Sequence, residues 1–327
     1  MPEIEIPNLN SEVSVEEKVS PDNNEKRNNL PEEENFSKRN EYSVQQIINP
    51  LDNEDEIVQS KEYEGYNDIT ITIKDSKTPI VVLFGPKSCG KTMTLVRLSR
   101  YLKENGYFIT PDKTFRDSKD ERYKKMCDEF PNMINSDDAA SSTNLISFML
   151  AKVTKNGSIK CQILEGPGEL YFDEDNPDKE FPTYLNQIIT SNNRKIWIFM
   201  LEPDWKDTKD RENYVDRITK FSKQIKSRDK VILLVNKVDK ADGLVINTGV
   251  VKYSPLLKEI KDSYPGILKP FENKIPISNW FEEYRCKIIP FQTGLYSTTN
   301  SGKLKYTKSD DRYPKKLWNV IKKIVKG

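Results

Sequence analysis

The chain has 327 residues, of which 35% are hydrophobic and 31% are charged, and its 52 basic and 51 acidic residues nearly balance. It contains no histidine, which excludes Ser-His-Asp and Cys-His catalysis and histidine-ligated zinc. Its four cysteines form no CxxC pair, so we expect neither a disulfide framework nor a cysteine-only zinc site, and a reducing compartment fits best.

The first 65 residues differ sharply in charge from the rest. They hold 17 acidic and 6 basic residues, whereas residues 66–327 hold 34 acidic and 46 basic ones. Only 17 of the first 65 residues are hydrophobic, which is too few to offset the entropy of ordering the chain. We therefore predict a disordered acidic arm over residues 1–65, followed by one ordered domain over residues 66–327.

Two features of the sequence predict a cytoplasmic protein. The first ten residues are acidic and lack the apolar core of a secretory signal. The longest apolar run covers residues 196–201, far short of the ~18 residues that a membrane-spanning helix needs.

Strands and helices alternate along residues 66–327. Continuous apolar runs predict central strands buried on both faces, at residues 79–84, 196–201 and 231–235. Further strands are predicted at 69–74 (an edge strand), 145–153, 159–164 and 288–289, and helices at 91–104, 119–130, 184–189, 211–225 and 314–325. This alternation predicts an α/β fold, in which a mostly parallel sheet lies between two layers of helices.

A glycine-rich loop follows the first buried strand. Residues 85–92 read Gly-Pro-Lys-Ser-Cys-Gly-Lys-Thr and match G-x-x-x-x-G-K-[ST], the phosphate-binding loop, or P-loop. Such a loop surrounds a phosphate chain with backbone N–H groups at the start of a helix. Lys91 is predicted to bridge the β- and γ-phosphates, and the Thr92 hydroxyl to bind Mg²⁺. The candidate nucleotide-binding residues here are Gly85, Lys87, Ser88, Cys89, Gly90, Lys91, Thr92 and Met93.

A second motif, Asn236-Lys237-Val238-Asp239, follows the strand at 231–235. With the phosphate loop upstream, the chain resembles the P-loop GTPases, which read guanine with N-K-x-D at the end of a strand. The resemblance implies that Asp239 accepts two hydrogen bonds from guanine, that the Lys237 stem lies along the base, and that Asn236 ties this loop to the phosphate loop. It implies GTP or GDP and Mg²⁺ as ligands and residues 66–327 as a P-loop GTPase domain.

A third motif, Glu165-Gly-Pro-Gly168, resembles the D-x-x-G element of the same family. The resemblance implies that Glu165 approaches Mg²⁺, that Gly168 contacts the γ-phosphate, and that Glu169 is catalytic together with Lys91. Glu165 replaces the usual aspartate, Glu169 replaces the glutamine that orients the attacking water in small signalling GTPases, and Lys87 replaces a glycine. Lys87 would either crowd a partner's arginine or itself neutralise the γ-phosphate.

Two elements of the family match less well. For the threonine that closes over Mg²⁺ we select Thr143, with Thr110 and Thr114 as alternatives. For the guanine-contacting loop after the last strand, Thr293 and Gly294 are in the expected position without matching its usual sequence.

Three functions fit these motifs. The first is a GTP-binding switch that hydrolyses GTP slowly and depends on a protein partner or activator. The second is a GTP-binding recruitment module that does not hydrolyse GTP, and the third is a P-loop ATPase or kinase, for which residues 236–239 would be a coincidence. Within the family, residues 198–204 are similar to uncharacterised bacterial double-GTPase families.

The last 27 residues carry nine lysines and arginines against two aspartates. The closing helix predicted at 314–325 would pack one apolar face on the sheet and leave a solvated basic face. An anionic partner, such as RNA, a lipid surface or the acidic arm, is the alternative interpretation. No aromatic and basic RNA-binding motif accompanies this helix.

Overall fold

A computed structural model describes residues 69–136, 148–203, 205, 207–241, 244, 251–273, 283–298 and 304–326. The arm predicted over residues 1–65 lies outside these ranges and stays a prediction. Thr143 and the first residues of the strand predicted at 145–153 also lie outside them.

A seven-stranded sheet forms the centre of the described part. Its order is β2-β3-β4-β1-β5-β6-β7. The five strands from β4 to β7 in this order pair in parallel, and β2 and β3 pair antiparallel at one side. The strands are β1 (Ile80–Phe84), β2 (Phe108–Pro111), β3 (Met149–Lys155), β4 (Ser158–Glu165), β5 (Lys195–Leu201), β6 (Lys230–Val235) and β7 (Cys286–Pro290).

Helices cover the sheet and account for its continuous apolar strands. They are α1 (Lys91–Glu104), α2 (Glu121–Asn135), α3 (Gly168–Tyr171), α4 (Thr183–Thr190), α5 (Thr208–Ser222), α6 (Tyr253–Ser263) and α7 (Arg312–Lys326). Helix α1 contacts α2 and α7. Helix α5 packs on β1, where the rings of Phe221 and Phe84 stack with centroids 5.3 Å apart. The predicted α/β fold with a mostly parallel sheet is confirmed.

Several elements differ from the prediction. The edge strand predicted at residues 69–74 is wrong, because Ile71 forms only one isolated bridge, to Arg116. The alternation there instead reflects burial of Ile71 against the core. Helix α2 continues beyond the predicted end at residue 130 and contains Pro131.

The sequence patterns did not predict β2, α3, α6 or a two-stranded hairpin formed by β8 (Gly294–Thr298) and β9 (Leu304–Lys308). Strand β2 and helix α3 have four residues each, too few for a periodic pattern, and α6 buries only Leu256 and Ile260. Among the described residues, no helix is long and apolar enough to cross a membrane.

Candidate nucleotide-binding site

The phosphate loop connects β1 to α1 at the carboxyl ends of the parallel strands. Gly90 precedes α1 with φ +87°, a conformation that glycine adopts without steric cost. A Cβ at Gly90 would lie 2.4 Å from Asn236 Nδ2, and one at Gly85 would lie 2.6 Å from Cys89 Sγ. Both glycines are therefore required by close packing, and the loop leads directly into the positive end of a helix.

Lys91 is buried within this loop, with 5% of its surface exposed. Its ammonium donates hydrogen bonds to the carbonyl oxygens of Gly85, at 3.0 Å, and Pro86, at 2.7 Å. The charge therefore lies inside the turn of the loop, where it can bind an anion without a large rearrangement of the backbone. The neighbouring Cys89 thiol is buried, and burial raises its pKa.

Thr92 and Glu165 meet at the start of α1. Thr92 Oγ1 donates to Glu165 Oε1 at 2.8 Å, across 73 residues of sequence. Glu165 ends β4 and is 1% exposed. Burial raises its pKa to about 7, against the opposing charge of Lys91 and the hydrogen bond from Thr92.

These two side chains fit a magnesium ion that also binds a nucleotide. Glu165 Oε2 is buried and has no hydrogen-bond partner among the described residues. Magnesium is commonly held by one or two protein oxygens together with substrate phosphates. The described residues contain no group of three or more histidines, cysteines, aspartates or glutamates that could hold a metal by themselves.

The segment after β4 packs directly on the phosphate loop. A Cβ at Gly168 would lie 2.2 Å from the backbone nitrogen of Lys87 and 2.3 Å from the carbonyl carbon of Pro86. Glu169 follows, and its carboxylate lies 3.8 Å from Lys87 Nζ in a partly exposed ion pair. Two of the three residues that depart from the GTPase motifs, Lys87 and Glu169, therefore face each other.

Residues 236–239 reach the same loop from the end of β6. Asn236 is buried, and its side-chain amide donates to the Cys89 carbonyl oxygen at 2.9 Å, which is the contact that the resemblance implies. Lys237 Nζ donates to the Ser88 carbonyl oxygen at 3.3 Å. Asp239 is exposed on a single 3₁₀ turn, Val238–Lys240.

Thr293 lies in the short segment between β7 and β8, immediately before the β8–β9 hairpin. Its hydroxyl lies 3.1 Å from the Tyr296 hydroxyl, and its carbonyl oxygen accepts a hydrogen bond from Tyr306 at 2.8 Å. A Cβ at Gly294 would lie 2.3 Å from the Tyr306 ring. Tyr306 also packs on Met93 of α1, so the hairpin connects this loop with the first helix.

The two alternatives for the Mg²⁺-closing threonine lie in other environments. Thr110 belongs to β2 and pairs with Lys152. Thr114 donates its hydroxyl to Asp112 at 2.7 Å. Within the described ranges, neither forms a hydrogen bond with Thr92 or Glu165, and Thr143 lies outside those ranges.

Sequence reasoning missed one residue of this region, Glu202, which immediately follows β5. Its carboxylate forms an ion pair with Lys237. Its position in the sequence could have identified it, because it directly follows the buried strand β5. Asn236 likewise directly follows β6, and Glu165 is the last residue of β4.

No protein-family model and no curated protein matches the chain. The solved structures that it is similar to include the putative nucleolar GTP-binding protein 1 of Plasmodium falciparum, with 12% identity, 79% of this chain and 90% of that chain covered, and a TM-score of 0.40. The signal recognition particle receptor SRb-GTP/SRX complex of Chaetomium thermophilum has 13% identity, 76% and 98% coverage and a TM-score of 0.37.

A third similar structure is a bacterial selenocysteine-specific elongation factor, with 15% identity and a TM-score of 0.35. The match covers 76% of this chain but only 29% of that factor. At these identities and TM-scores, the likenesses carry no inference about what the chain binds or does.

Proposed function

We propose that this protein is a guanine-nucleotide-binding switch of the P-loop GTPase class, which hydrolyses GTP to GDP and phosphate slowly, with Mg²⁺ and under the control of a protein partner. The observation that carries the proposal is the hydrogen bond from the Asn236 amide to the Cys89 carbonyl oxygen. It brings the base-reading motif and the phosphate loop, 147 residues apart, into contact. A chance match to N-K-x-D would not be expected to meet the phosphate loop.

In this proposal the phosphates bind to the backbone N–H groups of residues 85–91 and to the Lys91 ammonium. Asp239 accepts hydrogen bonds from the guanine N1–H and exocyclic amine, a donor pair that adenine lacks. The Lys237 stem lies along the base, and Thr293 borders the base from the loop after β7.

Bound Mg²⁺ would neutralise charge on the phosphates, with Thr92 and Glu165 as its protein ligands and Thr143 as a further proposed one. Lys91 stabilises the charge that develops on the γ-phosphate. Glu169 would hold the attacking water with a carboxylate where signalling GTPases use an amide. We expect slow turnover, because no arginine has been assigned to the γ-phosphate and a partner would have to supply one.

A GTP-binding module without hydrolysis is the second candidate, and one contact favours it. The Glu169 carboxylate faces Lys87 at 3.8 Å, so it is partly neutralised before any water binds. Single-turnover hydrolysis separates the two candidates: release of phosphate from bound GTP within minutes to hours supports the enzyme, and intact GTP supports the recruitment module. The proposal includes a cytoplasmic location. It also includes kinship to bacterial double-GTPase families, which the similarity of residues 198–204 suggests.

Calorimetric titration with GTP, GDP and ATP in Mg²⁺ tests the nucleotide. We expect guanine nucleotides to bind selectively and Asp239→Ala to lose that selectivity. Asp216→Ala, which changes an exposed aspartate on α5, should bind like the wild type.

The variant Asp239→Asn tests which base is recognised, because its side-chain amide offers a donor where guanine also has one. This variant should therefore prefer xanthine nucleotides, whose C2 carries a carbonyl oxygen. Equal binding of ATP and GTP by the wild type would contradict the proposal and favour an ATPase or kinase.

A further inference from the structure

Lys237 has a strained backbone that needs support from its surroundings. Its φ of 54° and ψ of 35° lie in the left-handed region, which is unfavourable for a residue with a Cβ. Lys237 comes two residues before Asp239, so its backbone conformation sets the orientation of the turn that carries Asp239.

The Lys237 side chain is held at two points. Its ammonium donates to the Ser88 carbonyl oxygen at 3.3 Å and forms an ion pair with the Glu202 carboxylate. The exposed fractions of the two side chains are 27% for Lys237 and 13% for Glu202. The pair is therefore more shielded from solvent than an ordinary surface ion pair.

Glu202 is itself held by a buried tyrosine. The Glu202 backbone N–H donates to the Tyr264 hydroxyl at 2.9 Å, and the same hydroxyl donates to the Glu202 carbonyl oxygen at 2.7 Å. Tyr264 is 2% exposed. Since β5 lies between β1 and β6, the Glu202 backbone is fixed between the strand that leads to the phosphate loop and the strand that leads to residues 236–239.

We propose that Glu202 is a positioning residue for the nucleotide base. Its carboxylate fixes the Lys237 ammonium, which keeps the aliphatic stem extended along the base and orients the turn that carries Asp239. The inference rests on the function proposed above. Because the ion pair also neutralises the charge of Lys237, this lysine contributes to binding of the base rather than of the phosphates. Loss of the Glu202 carboxylate should therefore weaken the affinities for GTP and GDP equally.

A double-mutant cycle between Glu202 and Lys237 tests this role. Nucleotide affinities are measured by calorimetry for the wild type, Glu202→Ala, Lys237→Ala and the double variant. We expect Glu202→Ala to weaken GTP and GDP binding by about ten-fold each, between the effects of an exposed and a fully buried ion pair. In the Lys237→Ala background the same change should alter affinity by less than about two-fold, since the residue then has nothing to position.

Two further variants separate positioning from folding. Glu202→Gln keeps the shape and the hydrogen bond without the charge and should recover part of the affinity, while Glu212→Ala, an exposed glutamate on α5, should bind like the wild type. A merely structural role would lower the melting temperature and weaken binding by the same factor with or without Lys237. That additive result, or wild-type affinity in Glu202→Ala, would overturn the inference.

The same titrations distinguish this inference from the proposed function. If the wild type does not prefer guanine nucleotides, the proposed function fails before the cycle is reached. If the wild type prefers them and the Glu202 and Lys237 effects are additive, the proposed function stands and only the role of Glu202 fails.

Discussion

The two ends of the candidate site are held in different ways. At the phosphate end, the loop of residues 85–92, Gly168 approaches the backbone so closely that a Cβ would lie 2.2 Å from the Lys87 nitrogen. At the base end, Asp239 is exposed and depends on the side chains of its neighbours. Under the proposed function, phosphate binding therefore depends mainly on the backbone, whereas base recognition depends on a few side-chain contacts that single substitutions can remove.

The largest effect is expected from Gly168→Ala, which breaks the backbone contact at the phosphate end. The new Cβ would overlap the backbone of residues 86 and 87. We expect a fall of about 3 kcal/mol in the free energy of unfolding, measured with denaturant. Under the proposed function, hydrolysis should slow roughly 100-fold, since a displacement of about 1 Å has that effect at a reactive site.

Gly157→Ala is the matched control for that substitution. Gly157 has φ +71° and no atom within 4 Å of an added Cβ, so only left-handed strain of about 1 kcal/mol is expected, with hydrolysis unchanged. Equal losses in both variants would contradict this prediction, because Gly168, unlike Gly157, has no positive φ and its loss is expected to come from the contact with the phosphate loop alone.

The second prediction concerns pH and the buried carboxyl of the phosphate end. Burial raises the pKa of Glu165 from 4.5 to about 7. Between these pH values the folded state holds a proton that the unfolded state has released, so stability falls as pH rises from 4.5 through 7. The loss is about 3 kcal/mol at most, and it is complete once the pH exceeds the folded pKa.

Urea unfolding between pH 5 and pH 8, without nucleotide or Mg²⁺, measures that loss. Glu165→Gln should lack this component, so its stability relative to the wild type should increase with pH. Glu212→Gln, at an exposed site, should follow the wild type. If Glu165→Gln also follows the wild type, the carboxyl is charged in the folded protein throughout this range.

The third prediction breaks the link between the two ends. Asn236→Ala removes the buried amide that donates to the Cys89 carbonyl oxygen, a loss of about 2 kcal/mol. If the base end loses its place over the phosphate loop, GTP should bind roughly 30-fold more weakly by calorimetry. Asn192→Ala, an exposed residue, is the control, and a similar affinity in both variants would show that this amide does not join the two ends.

The smallest effect is expected at the Lys87–Glu169 ion pair. Its atoms lie 3.8 Å apart, and the two side chains are 52% and 28% exposed. A double-mutant cycle on the free energy of unfolding should give a coupling below about 1 kcal/mol that decreases further in high salt. A larger, salt-independent coupling would mean that this pair, rather than Gly168, holds the segment after β4 on the phosphate loop.

Local sequence patterns predicted the central features of the fold and of the site. The runs at residues 79–84, 196–201 and 231–235 are apolar throughout, because strands covered on both faces must be, and they became β1, β5 and β6. The phosphate loop follows β1 directly, since its glycines and the helix start that it needs are adjacent in sequence. The roles assigned to its residues, and the identity of the nucleotide, remain proposals.

Contacts between distant residues were decided only by the tertiary structure. Residues 69–74 alternate apolar and polar side chains as a strand does. The structure instead buries Ile71 in the core and forms a single bridge from Ile71 to Arg116. Glu202 and Lys237 are 35 residues apart in sequence and form an ion pair. Gly168, in the segment after β4, packs against the backbone of Lys87 in the phosphate loop. The sequence by itself determined which segments are buried and where the phosphate loop begins, because periodicity and glycine spacing are local. Which side chains converge on that loop depends on the order of strands in the sheet, a property that no local pattern encodes.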